Sequence, residues 1–313
     1  MTAVMAVNFR DNPLHRNSFV THGATLVGWA DMNLLSIQSH VAYGHVGNSA
    51  AVFALQRLGC EVWPVHTVQF SNHLGYGAFR GSVFDAAHIG EVVRGIAERG
   101  ALARCDGVLS GYLGAAHVGA AILDAVALTK AANPRARYCC DPVIGDVGPG
   151  EYVRAGIADF LRERALPAAD VITPNQFELE RLSGQGSATR AGALAAAESL
   201  RKRGPRAVLV TSLHTAETPA DAVDVLACDE RGRFLVRTPL LPIAVNGAGD
   251  AAAALFFFHY LRAADLAEAL ARTVSSIFGL VRRTAQAGTR ELLLIEAQEE
   301  LVAPSQTFRP EPV

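Results

Sequence analysis

From Met32 onward the chain alternates short apolar runs with amphipathic stretches. Asn33 to Ile37 predicts a strand, Gly47 to Leu58 a helix with Val52, Phe53, Leu55 and Leu58 turned inward, and Glu61 to Val68 a second strand. A helix over His88 to Glu98, a strand over Gly107 to Ser110, a helix over Ala115 to Ala131, a strand over Arg137 to Cys140 and a helix over Val153 to Arg164 follow. After a strand at Asp170 to Ile172 come two helical stretches and a strand at Ala207 to Thr211. An antiparallel pair then spans Ala222 to Ala227 and Arg233 to Arg237, turning near Arg231-Gly232, and helices begin at Gly247. Strands in series with helices between them imply parallel crossovers. The expected fold is therefore α/β, with a largely parallel sheet covered on both faces and ligands at the carboxyl ends of its strands. No internal repeat or low-complexity linker divides residues 32–313, which predict one domain.

Residues 1–31 lack this periodicity and mix Asn, Pro, His and Gly, a pattern that suits a poorly ordered N-terminal extension. Phe9, Leu14, Phe19, Val20, Leu26, Val27 and Trp29 are not spaced as a helical stripe. Ordering them would cost on the order of 1 to 2 kcal/mol per residue in backbone entropy with little burial in return. A chain that begins at Met32 is expected to match the full chain in melting temperature and turnover, and a large loss of either would overturn this expectation.

Half of the 313 residues are apolar, enough for a large core without disulfides. A net charge of -2, a pI near 6.6 and 19% charged residues leave no basic surface for nucleic acid or an anionic membrane. The apolar run Ala251 to Leu261 is shorter than the roughly 20 residues of a membrane span and reads as a buried helix. Ala3 to Val7 runs at once into Asn8, Arg10 and Asp11, unlike a secretory signal. Cys60, Cys105, Cys139, Cys140 and Cys228 show no C-x-x-C spacing and read as reduced thiols in a cytoplasmic protein.

Asn246-Gly247-Ala248-Gly249-Asp250 precedes a run of helix formers, so small residues occupy the turn whose amides have no helical partner. Such a turn cradles an anion, and Asp250 is placed to accept a proton from an attacking hydroxyl. Equally, Asn246 can cap the helix and Asp250 complement its dipole. Asp141 and Asp146, on the loop after the strand Arg137 to Cys140, can hold a hard cation beside phosphates or be solvated turn acids. In Thr173-Pro174-Asn175-Gln176-Phe177-Glu178, Glu178 can reach a magnesium ion or its water shell, or serve with Asn175 at a helix start. No P-loop is present. Gly75-Tyr76-Gly77 and Gly81 lack the strand and helix of a dinucleotide fingerprint, and His40, His45, His66 and His73 lack metal-ligand spacing.

The segment Ser36-Ile37-Gln38-Ser39-His40-Val41-Ala42-Tyr43-Gly44-His45-Val46-Gly47-Asn48 closely resembles the pyridoxal kinase family, a branch of the ribokinase-like kinases. The likeness continues through Thr67 to His73, Leu109 to Tyr112, Cys140 to Val143, Ile172 to Glu178 and Gly247 to Asp250. It implies a ribokinase-like three-layer α/β/α fold and ATP-dependent phosphorylation of the 5′-hydroxyl of pyridoxal, in vitamin B6 salvage. By resemblance, Ser39 would hydrogen-bond the pyridine ring, the loop after His73 with Leu74 and Gly75 would close over it, and Tyr112 would flank the same pocket. Asp141 and Glu178 would lie near ATP phosphates and Mg²⁺, and Thr173 and Thr211 would contact phosphates. Thr238, Pro239, Leu240 and Leu241 would border the nucleotide, and Tyr152 would belong to a lid. Gly247, Ala248 and Gly249 would form the anion cradle and Asp250 would be the base. A potassium-like monovalent ion and a homodimer are implied by the same likeness. Leu74 and Ala248 stand where many relatives have Thr. The rival readings are a hydroxymethylpyrimidine kinase, which shares the Gly-x-Gly-Asp motif, and a non-catalytic B6-binding protein.

Overall fold

The computed structural model describes residues 32–313, so the expectation for residues 1–31 lies outside the described residues. Its main sheet begins with β1 (Asn33–Val41), β2 (Glu61–Phe70), β3 (Gly81–Val83), β4 (Gly107–Ser110) and β5 (Arg137–Cys140). A separate two-stranded hairpin, β6 (Gly145–Asp146) and β7 (Gly150–Glu151), follows. The main sheet continues with β8 (Val171–Ile172), β9 (Ala207–Leu213), β10 (Ala222–Cys228), β11 (Arg233–Pro239) and β12 (Glu311–Pro312). The strand order is β12-β11-β10-β9-β8-β5-β4-β1-β2-β3. From β2 to β9 every neighbouring pair is parallel, and β3, β10, β11 and β12 add antiparallel edges. The order reverses at β1, which has β2 on one side and β4 on the other, the kind of switch point where open α/β sheets bind ligands.

Helices cover both faces, giving the expected three layers. On one face lie α2 (Ala86–Glu98), α3 (Val118–Ala132), α6 (Gln176–Ser183) and α7 (Arg190–Arg201). With them packs a helical segment that runs from α4 (Ile157–Phe160) through a π turn into α5 (Leu166–Ala168). On the other face lie α1 (Asn48–Arg57), α8 (Ala248–Ala263), α9 (Leu266–Ala287) and the short α10 (Glu299–Val302). Strand alternation sends Cys140 into the first core and Cys139 into the second. All five cysteines are buried and unbridged.

Helix α1 corrects one detail of the sequence reading. Its most deeply buried stripe is Ala50, Ala51, Ala54 and Leu55, while Val52 and Phe53 are half-buried. The alanines let α1 approach α8, which is itself alanine-rich and buried from Ala251 to His259. Among the described residues no helix is long and apolar enough to cross a membrane.

Candidate active site

The segments that leave the carboxyl ends of β1, β2, β4, β5, β8 and β9 converge on one rim of the sheet, and they carry the residues singled out in the sequence. The β1–β2 register shifts between Gln38 and His40, so Ser39, buried, sits where the regular ladder breaks. Beneath it a buried polar network fixes the segment. Ser36 donates to Asn48 Oδ1 at 2.7 Å, Gln38 donates to Ser36 Oγ at 2.9 Å, and the Asn48 amide donates to the Val65 carbonyl at 3.1 Å. The rings of His40 and His66 stack at 4.3 Å, and burial holds both imidazoles below their usual pKa, His66 at about 4. These residues support the segment from below, as buried polar groups do when every partner is supplied.

Above this layer, Val41, Val46, Val68 and Phe70 form a small apolar cluster against which Leu74, Val83 and Tyr112 pack. Leu74 therefore adds to an apolar wall. The Leu74–Tyr76 turn is capped by His73, whose Nδ1 accepts the Gly75 amide at 3.0 Å.

Helix α8 starts where the sequence places it. Gly247 is its N-cap, with a φ of 85°. A Cβ built there would overlap the His45 carbonyl oxygen, so both the backbone angle and the close approach require glycine. Asp250 stands in the first turn, facing the Gly47 amide, which favours its ionised form. Its carboxyl keeps some surface access yet is enclosed enough that desolvation raises it to about 6, the Gly47 amide opposing the shift.

Asp141 and Glu178 lie nearby, both buried. Burial raises the Asp141 carboxyl well above its ordinary range, and the charges of Glu178 and Asp250 push it further; Thr173 Oγ1, donating at 2.9 Å, opposes this. Burial likewise raises Glu178, against backbone amides that favour its ionised form. One Glu178 oxygen accepts the Ile144 amide and the other the Asn175 amide, both at 2.9 Å, while Asn175 accepts the Glu178 amide. Glu178 is thus a capping-box residue and a member of the acidic cluster at once. Two buried carboxylates with phosphate oxygens and water as further donors fit a hard cation such as Mg²⁺. Thr173 is buried and turned to Asp141, and Asp146 is exposed at the β6–β7 hairpin. Tyr152, just beyond the hairpin, has its phenol raised first by desolvation and then by the charges of Glu178, Asp146, Asp250 and Asp141.

A cavity of about 250 Å³ opens beside the cradle. Thr211, Thr238, Pro239, Leu240 and Leu241 line it, together with Ala248 and Gly249. The sequence reading missed its opposite wall, which Thr273, Val274, Ile277, Phe278 and Val281 of α9 supply, and Ser212, held at a φ of 52° at the end of β9. No local motif marks the α9 wall; its only signal is the amphipathic stripe of a long helix. The sequence reading also passed over Glu291, which reaches this rim from beyond α9: its Oε2 accepts the His45 amide at 3.1 Å.

The family model for phosphomethylpyrimidine kinase matches residues 102–293, leaving out β1, β2 and the loops that follow them. Pyridoxal kinase PdxY of Granulibacter bethesdensis is 57% identical over 282 residues, covering 88% of this chain and 98% of the relative. Pyridoxal kinase PdxY of Corynebacterium diphtheriae is 52% identical, covering 90% of this chain and all of the relative. The chain belongs to the pyridoxal kinase family. Among solved structures, pyridoxal kinase from Leishmania donovani in complex with ADP and pyridoxamine superposes with a TM-score of 0.83 at 30% identity, over 90% of this chain and 100% of that one. The ribokinase-like fold of this family is the fold described above.

Proposed function

We propose that this chain transfers the γ-phosphoryl group of ATP to the 5′-hydroxyl of pyridoxal. The observation that carries the reading is the docking of the Ser36–Asn48 segment on the anion cradle, with the His45 carbonyl packed against Gly247 and the Gly47 amide facing Asp250. The stretch with the most specific likeness to pyridoxal kinases therefore abuts the base. In this reading the pyridine ring lies between Ser39 and the apolar wall of Leu74 and Tyr112. The nucleotide occupies the cavity edged by Thr238 to Leu241, with its phosphates directed past Thr211 to the amides of Gly249 and Asp250. Asp250 takes the hydroxyl proton as the oxygen attacks in line, and the first-turn amides offset charge on the transferring group. Asp141 and Glu178 would hold Mg²⁺, directly or through its water, and the ion would neutralise phosphate charge. Residues 74–83 and 146–152 cover the two ends and keep water from competing as nucleophile.

A panel of pyridoxal, pyridoxine, pyridoxamine and hydroxymethylpyrimidine with ATP and Mg²⁺ tests the assignment. Pyridoxal is expected to react with higher kcat/KM than hydroxymethylpyrimidine, and equal or reversed efficiencies would overturn the substrate while leaving the kinase fold standing. Binding of pyridoxal without any phosphorylated product would favour a B6-binding protein instead.

Asp141→Asn is expected to raise the Mg²⁺ concentration for half-maximal rate by about 10-fold or more, the scale for loss of a group that holds or orients a metal. An unchanged Mg²⁺ titration would remove Asp141 from that role. The monovalent ion and the homodimer are expectations of the family likeness, and the cytoplasmic location is an expectation from the cysteines and the N-terminal sequence. Rates in KCl against NaCl, sedimentation and cell fractionation test them.

A further inference from the structure

Glu291 lies beyond α9, in a segment that the phosphoryl-transfer reading does not use, yet it touches three parts of the site. Its Oε1 accepts the Tyr76 hydroxyl at 2.5 Å, and its Oε2 accepts the His45 amide at 3.1 Å. Its backbone forms a parallel bridge with Asn246, the residue before the α8 N-cap. The fit is close: Gly44, at a φ of 91°, leaves no room for a Cβ against the Glu291 carboxylate.

The two ends of this contact have different surroundings. His45 leads directly to Gly47, whose amide faces Asp250, and its carbonyl packs on Gly247. Tyr76 belongs to the Leu74–Tyr76 turn and is 44% exposed, so burial does little to fix that part of the loop. A carboxylate is a strong acceptor for a phenol, and a hydrogen bond to a charged group at a partly exposed site can hold a turn that packing does not.

We propose that Glu291 is a positioning residue that ties the cover over the vitamin site, through Tyr76, to the loop that aims the base, through His45. The proposal rests on the reading of Asp250 as base and of residues 74–83 as cover, and it adds what couples them. With the turn seated, Glu291 holds both at once, the Tyr76 hydroxyl on one oxygen and the His45 amide on the other. A substrate held under the cover and an aimed base then occur together.

Tyr76→Phe, at an exposed ring, is expected to raise KM for pyridoxal by about 10-fold with kcat and KM for ATP nearly unchanged, the scale of one hydrogen bond to a charged acceptor. Glu291→Leu is expected to raise KM for pyridoxal similarly, to lower kcat by about 10-fold, and to move the acid limb of kcat/KM upward as Asp250 loses its aligned amide donor. Glu291→Gln should restore most activity, because its carbonyl can still accept the His45 amide while its NH₂ donates to the Tyr76 oxygen. In the Glu291→Leu background, Tyr76→Phe should add nothing. An unchanged KM for pyridoxal in Tyr76→Phe, or additive effects in the double variant, would overturn the proposal even if Glu291→Leu failed to fold. Full activity in Asp250→Asn would instead sink the reading of the base, leaving the coupling of Tyr76 to Glu291 intact.

Discussion

Asp250→Asn is expected to fold, to bind ATP and to phosphorylate pyridoxal about 100-fold or more slowly than the parent, the scale for losing a positioned general base. Asn keeps an oxygen that can accept the Gly47 amide, so the loop contact survives while proton acceptance is lost. In the parent the base must be ionised, and desolvation holds Asp250 at about 6. Its kcat/KM should therefore be flat above that pH and fall about tenfold per pH unit below it. The stability effect has the opposite sense. A carboxyl raised on folding binds its proton more tightly in the native state, so its penalty to stability sets in as pH rises from the unfolded value and is complete above about 6. Asp250→Asn should then be more stable than the parent at pH 7, by up to roughly 3 kcal/mol. An active variant would show that Asp250 serves the helix and not the chemistry, and an inactive one with a lowered melting temperature would refute the stability argument.

Gly247→Ala should be nearly as damaging to turnover, about 100-fold or more, and unlike Asp250→Asn it should also destabilise. A φ of 85° costs a non-glycine residue on the order of 1 kcal/mol, and the added Cβ meets the backbone of His45, which cannot swing aside as a side-chain tip can. Relief requires the 44–47 loop and the α8 N-terminus to part, which withdraws the Gly47 amide from Asp250 and misplaces the cradle; small misplacements in such sites cost about 100-fold. Gly249→Ala is the control, since a Cβ there meets nothing within 4 Å. Its melting temperature should match that of the parent, although Gly249 borders the nucleotide cavity and its rate can fall. Equal melting temperatures for all three proteins would refute the steric argument.

Strands β4 and β5 match the sequence reading to the residue, because each is a short run buried on both faces and bounded by turn residues. The antiparallel β10–β11 pair was legible from two alternating runs around Arg231-Gly232, where Asp229 accepts both amides of the turn. Other boundaries were not legible. The helix expected from Val153 starts at Ile157, since Gly156 takes a φ of 84° and ends the preceding turn. Strands β3, β6, β7 and β12 have two or three residues each, too few to show a period. In the site, Asp141, Glu178 and Asp250 carried local signals at strand ends and a helix start, each open to a turn or capping role until the resemblance joined them. Glu291 and the α9 wall did not, because their roles arise from contacts between segments distant in sequence. Resemblance supplied Ser39 and Tyr112, which no spacing rule would have singled out.

The meeting of the Gly47 amide with Asp250 also bears on how the enzyme forms. The two groups are separated by roughly two hundred residues, and every strand of the main sheet except β1 and the terminal β12 lies between them in sequence. Contacts of such long sequence separation carry a large loop-closure cost and tend to form late. During refolding, helical signal should therefore recover before phosphotransfer does. An incompletely folded chain that already displays the α8 amides still lacks an aligned base, which keeps ATP from being spent by a half-built enzyme.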